Sequence, residues 1–426
     1  MALEFGHGSV QWTTANALGS TITVSSLTFQ PKALRFYWVG LQSNSPTNAT
    51  SATVNERRGV GFAVSTTQRR CVGTFNTNAS AAADGGSIAR NDAVVVTVNG
   101  TGVTDGLLDI TSFTTTGFVL TVDDVAPANI TVFWEAWGGD DISVAEVGDI
   151  AEPAATGVQN YTVTGFTEDG TDQVVMFAGV QSSAAVNTGQ AQDTGLQVGF
   201  TSNTGDIVVV GNSDDGSATM DTDGFCIEGR CLSMIVIAGG NVNAQATRTA
   251  WGTNQFTLNW NARATTGRRN IFLAIKGGYW KAGSYTIAGN VLNSTATVDN
   301  LWFAPLGISL IGRMTATQAG VTSTVQDRIG FGSGSSTASR QSAGILDEDA
   351  TANVEVDTII QYSSVLSFPS AAGGIQATYD INNINPAGFQ IIVDTAGGVA
   401  NEWQGYLTFG TKKIPKISSV GHPFII

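Results

Sequence analysis

The amino-acid sequence predicts an all-β protein made of three tandem antiparallel β-sandwich domains. The first observation behind this prediction is an internal repeat that carries three markers in a fixed order. The markers are a Gly-Phe pair (Gly61-Phe62, Gly199-Phe200, Gly330-Phe331), a strand-like segment around a phenylalanine (Phe118, Phe256, Phe389) and a closing strand with an aromatic residue (Trp134, Phe272, Tyr406). The first and second markers are 56, 56 and 58 residues apart, and the second and third are 16, 16 and 17 apart. Two spacings kept across three copies indicate one structural unit used three times.

The second observation is the composition. Only 13% of the 426 residues are charged and 51 are glycine, which favours strands joined by turns over helices. No segment of about 12 residues, the shortest length of a stable isolated helix, shows convincing helical periodicity. Each copy is also long enough to bury a core of its own. We therefore expect six or seven short strands in each copy and no long helix.

The elements follow one another in the same order in each copy. A strand pair opens the copy, the Gly-Phe strand and a turn-rich middle follow, and a central strand leads to two closing strands. The opening pairs lie in residues 20–42, 161–181 and 294–314, and the central strands in 92–98, 231–238 and 352–360. Alternation of apolar and polar residues in these segments is typical of strands that face a core on one side.

This interpretation divides the chain into four parts. Residues 1–142 form an N-terminal arm and the first sandwich, 143–279 a linker and the second, 280–411 a linker and the third, and 412–426 a C-terminal docking tail. We interpret 143–157 and 279–290 as linkers that let the sandwiches sit at different angles. The tail is basic at Lys412, Lys413 and Lys416 and ends in apolar residues, so we expect it to dock on an acidic or apolar neighbour.

The charge and hydropathy patterns exclude several classes of partner. The net charge is −14 and no stripe of lysine or arginine is present, which argues against nucleic acid. We interpret the pairs Arg57-Arg58, Arg69-Arg70 and Arg268-Arg269 as solvated turn residues. No run of about 18 apolar residues would insert into a membrane, and no signal peptide is expected at the N-terminus. We expect a protein made in the cytosol that leaves it, if at all, as part of a larger particle.

Candidate catalytic groups are few. The two histidines, His7 and His422, lie near opposite ends of the chain, so a repeated Ser-His-Asp arrangement is excluded and we expect a protein that is not an enzyme. No cofactor is expected. The weaker alternative is calcium at the acids of the segment 212–224, against plain turns as the competing interpretation. Those acids are Asp214, Asp215, Asp221 and Asp223. Cys226 and Cys231 either stay free or close a small loop as a disulfide.

Aromatic residues are the candidate surface or interface residues. They are Trp134, Trp137, Phe272, Tyr406 and Phe424. In the segment 133–139, alternation sends Trp137 to one face of a strand and Trp134 to the other. One face must be core, and the other is available for stacking on a sugar or for a subunit contact. We favour the interpretation that both faces are used in core and ordinary subunit packing.

The order of elements resembles the H-type lectin-like sandwich, through the strand Thr115-Thr116-Gly117-Phe118 and the closing strand Trp134-Glu135-Ala136-Trp137-Gly138. The segments 57–65, 91–98 and 105–118 are also similar to uncharacterised structural proteins of bacteriophage virions. The first resemblance implies a homotrimer with sugar sites between subunits. The second implies a virion protein, assembled in the host cytoplasm with other virion proteins. Its expected place is a tail, fibre or baseplate that contacts host glycans. The alternatives are a capsid decoration or head-spike protein and a glycan-cleaving tail enzyme.

Overall fold

The computed structural model describes residues 2–82, 84–216, 220–236, 241–264, 267–289, 291–314, 322–323, 326–349, 355–397 and 402–412. These residues form 33 strands in six antiparallel sheets, a 3-10 turn at Ala371–Gly373 and no α-helix, which confirms the all-β prediction. None of the described residues belongs to a helix with the length and apolarity of a membrane span. The phenylalanines of the second marker, Phe118, Phe256 and Phe389, are fully buried, as the repeat predicts.

The strands fall into three successive sets of eleven, which we call modules 1, 2 and 3. Module 1 contains β1 (Glu4–Trp12), β2 (Thr21–Val24), β3 (Pro31–Val39), β4 (Ala49–Ser51), β5 (Glu56–Ala63), β6 (Arg69–Asn76), β7 (Gly85–Arg90), β8 (Val95–Val98), β9 (Thr104–Thr114), β10 (Gly117–Asp124) and β11 (Ile130–Gly138). Module 2 contains β12 (Val144–Ala151), β13 (Gly157–Thr162), β14 (Gln173–Val180), β15 (Gln190–Ala191), β16 (Thr194–Ser202), β17 (Gly205–Ser213), β18 (Thr222–Glu228), β19 (Leu232–Val236), β20 (Asn241–Gly252), β21 (Gln255–Ala262) and β22 (Arg269–Lys276). Module 3 contains β23 (Tyr279–Ile287), β24 (Thr295–Val298), β25 (Phe303–Arg313), β26 (Thr322–Ser323), β27 (Asp327–Ser336), β28 (Ser339–Asp347), β29 (Val356–Gln361), β30 (Leu366–Ser370), β31 (Gly374–Asn385), β32 (Gly388–Thr395) and β33 (Glu402–Lys412).

Each module is a sandwich of a large and a small sheet with the same strand order. In module 1 the large sheet runs β1-β11-β3-β5-β6-β7 and the small sheet β2-β10-β9-β8, and adding eleven or twenty-two to each number gives modules 2 and 3. The closing aromatic residue meets the buried phenylalanine of the small sheet edge-on in every module. The ring centroids are 5.6 Å apart for Phe118 and Trp134, 5.4 Å for Phe256 and Phe272, and 5.3 Å for Phe389 and Tyr406. These repeated contacts form the core inside each sandwich.

One short strand of each module pairs with a different module. β15 of module 2 extends the large sheet of module 1 at β7, β26 of module 3 extends that of module 2 at β18, and β4 of module 1 extends that of module 3 at β29. This exchange is cyclic, so the three modules form a closed ring within one chain. The large sheets face a central core to which all three modules contribute, including Phe62, Phe200 and Phe331.

The pairing register corrects the first sequence marker in module 3. Phe36 lies opposite Gly61, Phe177 opposite Gly199 and Leu310 opposite Gly332. The equivalent of Gly61 is therefore Gly332 and not Gly330, and Ser333 takes the place of the phenylalanine. With this alignment the spacing to the second marker is 56 residues in module 3 as well. The glycine is required because a Cβ at these three positions would come within 2.0 Å of the carbonyl oxygen of the residue just before β8, β19 or β30 of the small sheet.

The segments predicted as an N-terminal arm and as linkers are strands. β1, β12 and β23 are the edge strands of the three large sheets and pair with β11, β22 and β33. Glycines in these strands (Gly8, Gly148, Gly283) lie under the closing aromatic rings, so their strand pattern is hard to recognise in the sequence. The connections between modules shrink to residues 139–143 and 277–278, and the shared core fixes the angles between modules. Most of the predicted docking tail, residues 413–426, lies outside the described residues.

Candidate functional site

The four predicted aromatic site residues that the structure describes are buried and do not form an exposed aromatic surface. Trp134, Phe272 and Tyr406 are only 3–4% exposed and face the core of their own module. Trp137 faces the central core, where it contacts Trp280 and the ring of Phe409. Both faces of β11 are therefore covered because the sheet lies between two cores. Phe424 lies outside the described residues.

Two of these aromatic residues nevertheless line clefts at equivalent places in the fold. The first cleft, of about 340 Å³, lies beside β1 and the edge of Trp134, where module 1 meets β28 of module 3. The second cleft, of about 360 Å³, lies beside β23 and the edge of Tyr406. Ser9 in the first cleft and Ser284 in the second occupy equivalent positions next to the glycine under each ring. We call these the β1 cleft and the β23 cleft.

The β1 cleft is polar and spans two modules. The Ser9 hydroxyl is 3.0 Å from the Tyr362 hydroxyl, and His7 Nε2 is 3.0 Å from the Ser339 hydroxyl. Two donors or acceptors at the cleft, Trp134 Nε1 and His7 Nδ1, are buried without a hydrogen-bond partner among the described residues. A buried polar atom that lacks a partner points to a ligand or to water at that place. The cleft therefore suits a molecule that offers several hydroxyl groups.

His7 is a weak candidate for catalysis although the fold brings it to a serine 332 residues away. Burial lowers the pKa of His7 to about 4, so the ring is neutral at physiological pH and takes up a proton poorly. A general base near neutrality would need a pKa close to the working pH. The pair of His7 and Ser339 thus serves as a polar contact across the boundary between modules.

The β23 cleft carries charge as well as hydroxyl groups. Lys281 and Asp299 line it together with Tyr285, whose buried hydroxyl has no hydrogen-bond partner among the described residues. Ser284 donates to Glu228 of module 2 over 3.1 Å. Glu228 is the equivalent of Tyr362 in the β1 cleft. The same two strand positions therefore meet at both module boundaries with different chemistry.

The third boundary, between modules 1 and 2, is closed by an ion pair. Arg70 donates to Asp149 over 2.8 Å and reaches the carbonyl oxygen of Asn91 at 3.5 Å. Asp149 and Asn91 are the equivalents of Ser9 and Tyr362. Arg70 thus occupies the position where the β1 cleft has open space.

A buried cluster of charges joins all three modules, and sequence reasoning missed it. Arg58, interpreted from the sequence as a solvated turn residue, is fully buried. Its Nε is 2.7 Å from Glu56, its Nη1 3.0 Å from Asp327 of module 3, and its Nη2 donates to the Thr194 carbonyl of module 2 over 3.0 Å. Glu56, Thr194 and Asp327 are equivalent residues that converge where the modules meet. We call this group, with Asp347, the ionic junction.

Burial and neighbouring charges shift the pKa values of charged groups in the ionic junction. Burial and the neighbouring Glu56 raise the pKa of Asp347 well above its usual range, and burial raises the pKa of Asp327. Burial by itself lowers the pKa of Arg58. The attraction of the surrounding carboxylates is larger, so the net effect is a raised pKa. A second ion pair, Arg35 with Glu135 at 3.3 Å, lies in the central core and is likewise fully buried. Single arginines in an unaligned sequence carry no signal for such burial.

The acids considered for calcium are partly engaged with backbone. Asp214 accepts from the Asp221 amide, and Asp215 accepts from the Gly85 amide of module 1. Residues 217–219 of this segment lie outside the described residues. Within the described ranges no three acidic, histidine or cysteine side chains lie close enough to hold a metal ion. Cys226 and Cys231 are buried free thiols, so the disulfide alternative is not formed in the structure.

Comparisons with known proteins give no match. No family model, no curated protein and no solved structure is similar to this chain.

Proposed function

We propose that this chain is a non-enzymatic structural protein of a bacteriophage particle, exposed on a tail, fibre or baseplate and in contact with host-surface glycans or neighbouring subunits. The observation that carries the proposal is the pair of equivalent clefts, each with a serine, the edge of an aromatic ring and an unpartnered buried donor. Sugars offer hydroxyl groups to such donors and an apolar face to such rings. Trp134 and Tyr406 are the residues of the predicted site that remain in this proposal.

A capsid decoration or head-spike role is the second candidate. The closed ring of three modules favours it, because such a ring presents three similar surfaces to positions of three-fold symmetry. In that role the chain would reinforce the shell and bind nothing outside it. The homotrimer expected from the sequence stays a prediction.

A glycan array with the purified chain tests the first proposal. We expect binding that falls at least tenfold in Tyr362→Ala, because this change removes the hydroxyl that faces Ser9 across the β1 cleft. Asn91→Ala, at the equivalent position beside Arg70, is the matched control and should bind like the unchanged protein. Hydrolysis of a polysaccharide panel should be absent.

Absence of binding to every glycan, together with stabilisation of heated particles by the purified chain, would favour decoration. Hydrolysis that Ser339→Ala abolishes would overturn the non-enzymatic proposal, since the Ser339 hydroxyl lies 3.0 Å from His7 Nε2, nearer than the Ser335 hydroxyl at 3.5 Å.

A further inference from the structure

A third cleft, which we call the acidic cleft, lies at the boundary of modules 1 and 3 away from the two clefts described above. Its volume is about 280 Å³, and Asn78 of module 1 and Glu355 and Asp357 of module 3 line it. Glu348 lies behind this pair, and its backbone amide donates to the Glu355 carbonyl oxygen. Two carboxylates thus line one opening, with Glu348 behind them, and Glu355 is exposed to solvent.

One of these carboxylates is incompletely satisfied. Glu348 is only 6% exposed, and its Oε1 has no hydrogen-bond partner among the described residues. Glu355 and Asp357 are charged neighbours of Glu348, and Arg328 interacts with both Glu348 and Asp357. Glu355 and Asp357 outnumber this arginine, so the opening carries an excess of negative charge. A buried unpaired acceptor in such a group is best satisfied by a cation that donates hydrogen bonds.

The chain carries a cation of this kind in its last segment. Lys412, Lys413 and Lys416 form the most basic stretch of a chain with net charge −14. A lysine ammonium has three donors on a flexible stem and fits a group of carboxylates as a point charge. The charge of segment 412–416 therefore complements that of the acidic cleft.

The lysines of a given chain cannot reach the acidic cleft of the same chain. The strand registers align Gln404 of β33 with Ile359 of β29 across the large sheet. Asp357 therefore lies at the end of the sheet where β33 begins with Glu402, whereas Lys412 ends that strand. The ten steps from Glu402 to Lys412 span about 33 Å at the rise of a β-strand. Lys416 is four residues further on and extends at most about 14 Å from Lys412. The distance favours a second molecule as the donor of the lysines.

We propose that the acidic cleft of one molecule receives the basic segment 412–416 of a second copy of this chain. The contact joins two different surfaces, and we expect its repetition to build head-to-tail stacks. Because it depends on charge at an exposed opening, it weakens as salt is added.

Two variants of the full chain test the proposal. Glu355→Gln with Asp357→Asn removes charge from the cleft, and Lys413→Gln with Lys416→Gln removes it from the segment. By sedimentation velocity at low salt we expect the unchanged chain to form a series of oligomers that shortens at 0.5 M salt. Each double variant alone should remain monomeric. An equimolar mixture of the two should form a dimer and stop, since one supplies the segment and the other the cleft.

The control is Asp123→Asn, an acid of module 1 remote from the cleft, which should self-associate like the unchanged chain. Thermal melting of each variant shows whether it is folded. A monomeric unchanged chain at low salt overturns the proposal, and so does a cleft variant that still associates. A mixture that fails to dimerise while each variant is folded also overturns it, because docking within one molecule or on another protein would then explain the segment.

Discussion

Replacement of Arg58 by methionine should be among the most damaging single changes in this chain. The guanidinium is fully buried and contacts Glu56 at 2.7 Å, Asp327 at 3.0 Å and Asp347 at 3.7 Å. Methionine fills a similar volume but leaves Glu56 and Asp347 without their cation, while Asp327 keeps only Arg313 at 3.6 Å. Breaking a buried ion pair by removing one partner costs about 3–5 kcal/mol. We expect a loss of this size in the free energy of unfolding.

Guanidinium denaturation followed by tryptophan fluorescence measures this loss, since the chain has nine tryptophans. The matched control is Arg70→Met, which removes a partly exposed ion pair at another module boundary, with Arg70 18% and Asp149 36% exposed. Such a pair contributes about 0–1 kcal/mol. Adding Asp347→Asn to Arg58→Met should recover part of the loss. A single Arg58→Met variant that differs from the Arg70→Met variant by less than about 1 kcal/mol would refute this account of the ionic junction.

Three further predictions follow from the same structure. Phe256→Ala, which empties the centre of the module 2 core, should lower the unfolding free energy by about 3–5 kcal/mol, and a loss below about 1 kcal/mol would argue against that packing. A protease site inserted in residues 139–143 should yield two fragments that still co-elute on gel filtration, because the modules share a core and exchange strands; fragments that separate under native conditions would contradict this. Burial, followed by acidic neighbours, raises the pKa of Asp223 and of Glu348 to about 7, so the stability from their protonated forms is lost as pH rises through 7. The melting temperature should fall between pH 6.5 and pH 8 and fall less in Asp223→Asn; below pH 6.5 the lowered pKa of His7 acts in the opposite direction.

The sequence by itself determined the fold class and most of the repeat. Strand propensity, alternation and glycine-rich turns are local properties, so they can be recognised without an alignment. Phe118, Phe256 and Phe389 could be placed in cores from their spacing alone. The sequence pattern did not reveal that Gly332, and not Gly330, is the equivalent of Gly61. Residues two apart on a strand share a face, so Phe331 also faces the central core and satisfies the same pattern.

Only the tertiary structure decided how the three modules meet. The exchanged strands are two or three residues long, which is too short for any periodic signal. The central core buries the second face of the large sheets, so aromatic residues such as Trp137 that could have been exposed are covered by other modules. Arg58 and Asp327 are 269 residues apart in the chain. A charged residue near a predicted turn is expected to be solvated, and only the packing of another module against it shows that it is buried. The clefts also depend on how the modules meet. Side chains from separate modules either fill a shared boundary or leave it open.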